Sequence, residues 1–388
     1  MKLFSLLPIV IMLLNTASCA QNPALEAIEW KRLSTLPQEN GNPSIGVAGA
    51  INAVYGSSFI VAGGANFPDK MPWEGGKKYY SDKIQILHKQ DGEYSWLKGL
   101  KVKLPEPIAY CGNTGTPQGI VYAGGENDNG LSDKSFLLKI SPSGKEIEIL
   151  RLASLPLPLT NIALLSVGNT VYALGGDGTT NSSSMFLSMD LDTESPVWKQ
   201  LPPLPKALAN TVAIAQESPE GTNIYVVGGR SKNPSGISDL HSGLYIYSLN
   251  KKSWTRGADI SDGEQITNFS AGTGVSIAKR YLLIMGGDNG VIFHRIESYL
   301  AEIANAGSAE QKAELIAAKN KLITEHKGFY KGILVYDTHQ NTWSEIGELP
   351  FPAKVTTTAA KWGEEVILSN GEIKPGVRDP SIFLGTIK

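Results

Sequence analysis

The chain has 388 residues, with 35 Lys+Arg against 37 Asp+Glu, a formal net charge of −2, 41% hydrophobic residues and 19% charged residues. That mix can bury a large core and excludes disorder, while near-neutrality excludes a general nucleic-acid binder, which needs a basic surface to neutralise phosphates. Two cysteines exclude a disulfide framework and a Cys-rich zinc site, and the five histidines form no metal-ligand cluster.

Met1-Lys2 is followed by an apolar run, Leu3 to Leu14, broken only by Ser5 and Pro8. It falls short of the roughly 20 residues that span a bilayer and predicts a secretory leader over residues 1–19. Two cleavage readings compete. Thr16-Ala17-Ser18-Cys19 resembles a bacterial lipobox, which would lipidate Cys19 and tether the mature chain by one end. Ser18-Cys19-Ala20 also fits plain cleavage before Gln21, and an uncleaved buried helix is the third reading. Either cleaved form predicts export to the periplasm, soluble or tethered at the outer membrane, with the membrane touched only through that lipid.

From residue 58 onward a phrase recurs: several β-formers, then a Gly-Gly pair. The copies end at Gly63-Gly64, Gly124-Gly125, Gly175-Gly176, Gly228-Gly229 and Gly286-Gly287, with a degenerate sixth at Asn370-Gly371. Their first positions step by 61, 51, 53, 58 and 84 residues. A second phrase follows most copies: a strand with an aromatic, a polar turn, then Trp and a Leu-Pro-rich linker. Tyr247 to Trp254 and Tyr336 to Trp343 keep the same separation of seven, and Trp30, Trp96 and Trp198 sit in matching positions. The second copy carries Ile149-Leu150 where the others have Trp.

Such a repeat is one blade of a propeller. A four-stranded antiparallel sheet cannot bury both faces alone, and radial packing buries them against neighbours. The glycines let a strand end turn sharply, and the Trp is an apolar plug with a polar handle. The period of about 50 matches the kelch pattern. The predicted fold is therefore all-β, a six-bladed kelch-type β-propeller over residues 20–388. Trp30 behaves as the end of a blade whose start lies elsewhere, so the segment Ala27 to Leu36 is expected to close the last blade and leave no open edge. Cys111, in Ile108-Ala109-Tyr110-Cys111-Gly112, looks like part of a strand, and a buried small hydrophobe outweighs a nucleophile there.

One segment breaks the period. His294 to Lys327 is rich in Ala, Glu and Lys, and Ile303, Ala306, Leu315, Ile316 and Leu322 are spaced to suit one or two amphipathic helices. It predicts a helical insertion in the fifth blade, either surface decoration or a pocket wall. The Gly-Gly pairs are expected to end the inner strands, so that the residues just after them crowd the central funnel: Ala65-Asn66, Glu126-Asn127, Asp177, Arg230, Asp288-Asn289 and Glu372. Each could instead simply cap a turn. The last copy stands out, because Glu372-Ile373-Lys374-Pro375-Gly376-Val377-Arg378 holds a carboxylate and two cations around a stiff Pro-Gly turn. It can be a solvated turn, or a site that binds an acidic ligand and moves protons.

At these residues the chain resembles the N-acetylneuraminate mutarotases, also called epimerases. Asn370-Gly371-Glu372-Ile373-Lys374-Pro375-Gly376-Val377-Arg378 is similar to their signature N-G-E-x-K-P-G-x-R. Ala62-Gly63-Gly64-Ala65-Asn66-Phe67-Pro68 and Lys77-Lys78-Tyr79-Tyr80-Ser81-Asp82 are similar to a family loop. In better-known members the signature falls mid-chain, whereas here it closes the chain, so the blade order looks cyclically permuted. The resemblance implies a six-bladed propeller, a sugar-acid substrate (free N-acetylneuraminate) and exchange of its α and β anomers without metal or cofactor. It assigns catalysis to Glu372, as proton acceptor, and to Arg378, which can hold the sugar carboxylate through two parallel hydrogen bonds. Lys374, Lys78, Asn66 and Glu126 are expected to orient the ligand.

Rival functions are a sialidase, a kelch glycan- or protein-binding module without catalysis, and a copper oxidase on the same scaffold. The S-x-D-x-G-x-x-W boxes usual in sialidases are absent, while an arginine triad could still be drawn from the seven scattered arginines. A copper site would need paired histidines, and the five here are unclustered.

Overall fold

The computed structural model describes residues 27–388 apart from 40 and 219, so the leader and Cys19 lie outside the described residues. Six four-stranded antiparallel sheets are the blades. From the axis outward, blade I is Ile51–Tyr55, Ser58–Ala62, Ile84–Gln90 and Glu93–Trp96. Blade II runs from Gly112–Thr116 to Ile147–Leu152, blade III from Ala163–Val167 to Lys199–Gln200, blade IV from Val212–Ser218 to Ser253–Arg256, and blade V from Thr273–Ile277 to Thr342–Glu348. In blade VI, Ala360–Trp362, Glu365–Ser369 and Ser381–Ile387 are completed by the N-terminal strand Ile28–Thr35, which pairs antiparallel with Ser381–Ile387. The ring closes through that seam.

The repeated β-former run is the second strand of each blade. It is sandwiched between two neighbouring blades, so both of its faces need apolar residues. Every residue of Ser58–Ala62, Gly119–Ala123 and Tyr281–Met285 is buried. Successive side chains leave a strand on opposite faces. In blade I, Ile60 and Ala62 join the core shared with Ile120 and Tyr122 of blade II, while Phe59 and Val61 join the core shared with Ile367 and Leu384 of blade VI. The described core divides into six such clusters, one per blade interface.

The tryptophans plug these interfaces and spend their polar edge on the preceding blade. The indole N–H of Trp96 donates to the Thr35 carbonyl (2.9 Å), Trp198 to Ala153 (3.1 Å), Trp254 to Pro202 (3.0 Å) and Trp343 to Ala258 (3.0 Å). Trp30 instead packs edge-on against Phe351, with centroids 5.4 Å apart.

Two expectations are corrected. The Gly-Gly pairs end the second strand rather than the innermost one. The segment around Tyr110-Cys111 is not strand: the inner strand starts at Gly112, and Tyr110 takes a left-handed φ of 56°. Tyr110 belongs to a feature with no side-chain signature. Gly49, Tyr110, Asn161, Asn210, Ala271 and Thr356 precede the six inner strands, and all have φ between 51° and 65°. Their backbones form a closed circle. Gly49 N–H donates to Thr356, Thr356 to Ala271, Ala271 to Asn210, Asn210 to Asn161, Asn161 to Tyr110 and Tyr110 to Gly49, at 2.7–3.1 Å. This collar rings the axis and separates the funnel from the channel between the inner strands. Its peptide groups satisfy one another where sheet pairing cannot reach.

Between the second and third strands of blade V lie helix α1, Val291–Ala304, and helix α2, Ala309–Thr324. Ser308 caps α2 by accepting from Gln311 N–H (3.1 Å). Among the described residues no helix is long and apolar enough to cross a membrane.

Candidate active site

The second-to-third-strand connections of all six blades emerge on one rim, above the collar. Each opens with a residue bridged to the residue just before a collar position: Ala65 to Ala48, Glu126 to Ala109, Asp177 to Thr160, Arg230 to Ala209, Asp288 to Ser270 and Glu372 to Val355. The six post-glycine residues expected in the funnel therefore occupy equivalent places around it.

Glu372 and Arg378 are directly paired across a two-stranded hairpin, Glu372–Lys374 with Val377–Arg378. Pro375-Gly376 makes its turn, and Gly376 takes a φ of 84°, which favours glycine. The Glu372 carboxylate has two separate jobs. Its Oε1 accepts the Gly376 N–H at 2.6 Å and locks the turn. Its Oε2 lies 3.1 Å from Arg378 Nη1, with the two side chains 17% and 5% exposed. That Nη1 is out of line for a hydrogen bond and is a buried donor with no acceptor among the described residues. The rest of the guanidinium is held by the Ala65 carbonyl (3.4 Å), by Tyr110 Oη (3.4 Å) and by the face of Phe67 at 5.0 Å. Asn370, first residue of the hairpin segment, is fully buried and exchanges side-chain hydrogen bonds with Asn52 of blade I at 2.8 and 3.3 Å, which fixes the base of the hairpin.

A second group meets the first at Tyr110. Lys78 Nζ sits 4.8 Å from the Tyr110 ring and 2.9 Å from Glu126 Oε1, which also accepts from Tyr80 Oη at 2.8 Å. Burial disfavours the Lys78 ammonium, but Tyr110 and Glu126 outweigh it and hold the lysine above its usual range. Burial and the Glu126 carboxylate push the Tyr80 phenol up to about 12. Burial also raises Tyr110, against the pull of Arg378 and Lys78, so both phenols stay protonated. Two cations thus converge on one tyrosine, an arrangement suited to a carboxylate ligand. Asn66 is beside them, donating to the Gly46 carbonyl at 3.1 Å while its Oδ1 is buried without a partner among the described residues.

Of the expected residues, Glu372, Arg378, Lys78 and Glu126 form one continuous set of contacts through Tyr110, and Asn66 flanks it. Among the described residues Lys374 makes no side-chain hydrogen bond or ion pair with this set; burial, and then the Lys374 charge, lower the proton affinity of His326. Tyr110 and Tyr80 were not expected to take part. Tyr80 stood in a segment already quoted, whereas Tyr110 was hidden in an apparent strand. Asp177 and Arg230 satisfy each other at 2.5 Å. Cys111 is buried, and burial pushes its thiol up to about 12, which leaves no thiolate for attack.

The insertion forms a wall. Ile292, Phe293 and Ile296 of α1, with Phe329 and Pro375, line a cavity of about 260 Å³ that also touches Glu372, Arg230, Asp288 and His326. Burial raises Asp288 and lowers His326, so each is shifted toward its neutral form.

The sequence model of the N-acetylneuraminate epimerase family matches residues 152–388. The N-acetylneuraminate epimerase of Salmonella typhi is 28% identical over 234 residues, 60% of this chain and 57% of the relative. That of Haemophilus influenzae (strain 86-028NP) is 28% identical over 220 residues, 56% of this chain and 55% of the relative. The chain thus spans little more than half the length of the curated relatives it matches. With more than half of its residues inside the family match, the chain belongs to the N-acetylneuraminate epimerase family.

Proposed function

We propose that this member of the N-acetylneuraminate epimerase family interconverts the α and β anomers of free N-acetylneuraminate. The observation that carries the reading is the partly buried Glu372–Arg378 pair, in which one carboxylate oxygen and one guanidinium nitrogen face each other beside Tyr110 and Lys78. The sugar is a 2-keto acid closed as a hemiketal. Arg378 and Lys78 hold its carboxylate. Glu372 Oε2 takes the proton of the C2 hydroxyl as the bond from C2 to the ring oxygen breaks and a C2 carbonyl forms. The ring oxygen takes a proton, for which the Tyr110 phenol is a suitable donor, because it accepts from Arg378 and keeps its own hydrogen free. Rotation about the C2–C3 bond presents the other carbonyl face, and the steps reverse. No atom is gained or lost, so the protein has only to position protons and charge.

Proton NMR of freshly released α-anomer tests this at a pH where spontaneous exchange is slow. Faster appearance of the β-anomer with protein is expected, and an unchanged rate refutes the reading. Release of sugar from a glycoside would favour the sialidase alternative. Binding without faster exchange would favour a glycan-binding module. We also propose that the blade order is permuted. Partial coverage of the relatives favours this, since a linear match follows only one side of a cut in the ring. Export through the leader, with Cys19 lipidated, is a further proposal resting on residues 3–20, and mass spectrometry of the mature N-terminus tests it.

A further inference from the structure

We propose that the cavity between Glu372 and helix α1 is the subsite for the acylamino substituent at C5 of the sugar, and that Phe293, Ile296 and Phe329 determine specificity for it. The inference rests on the sugar-acid reading above. In the six-membered ring of such a sugar, C2 and C5 lie across from each other. Once the C2 carboxylate sits at Arg378 and the C2 hydroxyl at Glu372, C5 points away from Arg378, past Glu372. The cavity of about 260 Å³ lies on that side, since Glu372 lines it together with α1 and Phe329.

Its chemistry suits a small amide. Most of the rim around the funnel is charged, but here Phe293, Ile296 and Phe329 present apolar walls fit for a methyl group. At the polar end stands Arg230, whose guanidinium carbon lies 5.7 Å from the Phe293 ring centroid. One Arg230 nitrogen is occupied by Asp177 and another donates to Ser238 Oγ at 3.3 Å. Its Nε is buried with no acceptor among the described residues, an unspent donor on a side chain that lines the cavity. Helix α1 is anchored to this assembly. Glu297 accepts from Ser238 N–H at 2.7 Å and from Ser238 Oγ at 2.9 Å, so wall and arginine are fixed relative to each other. The helical insertion therefore makes the site read the substituent as well as the anomeric centre.

The test compares N-acetylneuraminate with the analogue bearing a hydroxyl at C5. Phe293→Ala should lower kcat/KM for the N-acyl sugar about tenfold, mainly through KM, the scale of one small apolar group in a pocket. The C5-hydroxyl sugar should change less than twofold. Equal losses on both sugars, or no loss on either, overturn the subsite. Ile296→Ala is the second variant if Phe293→Ala fails to fold. Saturation-transfer NMR on N-acetylneuraminate separates the two readings. A saturated acetyl methyl signal that is lost in the variant keeps the subsite even if no exchange is catalysed. An unsaturated methyl on a bound sugar overturns it even if exchange is fast.

Discussion

Replacing Glu372 by Gln removes one charge and almost no volume, which makes it the cleanest probe of the hairpin. The turn-locking bond survives, because an amide oxygen can accept the Gly376 N–H as Oε1 does at 2.6 Å. What is lost is the carboxylate 3.1 Å from Arg378 Nη1. Stripping one partner from a buried pair costs about 3–5 kcal/mol when the survivor has nothing else. Arg378 keeps the Ala65 carbonyl, Tyr110 Oη and the Phe67 face, so a loss of about 1–2 kcal/mol is expected. Against a typical stability of about 5–15 kcal/mol that leaves the chain folded. Loss of the general base should slow exchange by about 10²–10⁴, or roughly 3–5 kcal/mol of barrier. The anomeric NMR assay and a thermal melt on the same sample give both numbers. Glu372→Asp, with a carboxylate one methylene further back, should fall between Gln and wild type. Near-wild-type exchange by Glu372→Gln, with a similar melt, would refute the assignment of the base. A collapsed melt would refute the argument that the remaining partners of Arg378 keep the chain folded.

Other outcomes follow from groups beneath and beside the site. Gly49→Ala should reduce both stability, by about 1–3 kcal/mol, and exchange, because a Cβ there would lie 2.5 Å from Tyr110 Cδ1 and push the ring off Arg378; unchanged melting and activity would show that the collar tolerates a side chain. Lys354 is fully buried, 2.7 Å from Asp379, and burial outweighs that carboxylate to bring the ammonium down to about 8. Between pH 8 and 10.5 the unfolded chain holds a proton that the folded chain has released, so this pair makes stability rise with pH there. Burial pushes Asp379 up but Lys354 outweighs it, so the lowered carboxyl stabilises above pH 3.8 and loses that contribution as pH falls through its folded value. Lys354→Met should abolish the alkaline rise and diminish the acid loss in melts across pH 3–10.5, because burial then raises Asp379 unopposed by the ammonium, and an unaltered profile would refute the pairing argument.

The blades were legible in the sequence because burial on both faces forces an unbroken apolar run, which the Gly-Gly pair then ends. Trp96, Trp198, Trp254 and Trp343 were legible because only a large ring with an N–H donor can fill an interface and reach the preceding blade. Glu372 and Arg378 stood out as opposite charges around a Pro-Gly turn. The collar was not legible. Gly49, Tyr110, Asn161, Asn210, Ala271 and Thr356 share no chemistry, since what repeats there is a backbone angle. That is also why Tyr110 was missed: its neighbours Ile108 and Cys111 carry the β-former pattern, yet the peptide has to turn left-handed to join the circle. Phe293 and Ile296 were hidden for another reason. Helix periodicity marks an apolar face but not what faces it, so a wall and a decoration look alike in one dimension.

A six-fold frame yields a one-sided site through the division of labour between collar and rim. The collar consumes its own N–H and carbonyl groups, so the floor of the funnel offers a ligand side chains but little free backbone. Recognition is left to the connections between second and third strands, and these differ in length. Those of blades III and IV contribute Asp177 and Arg230, which neutralise each other. Those of blades I, V and VI carry Lys78, the two helices and the Glu372–Arg378 hairpin, so charge and apolar wall gather on one side of the axis. The seam of the ring, Ile28–Thr35 against Ser381–Ile387, is made by the outermost strand of blade VI, whereas the site side chains stand on connections between second and third strands and on the collar. Cutting a closed ring at another outer strand would leave the collar and every funnel contact in place. Blade order is therefore free to vary while the chemistry stays fixed.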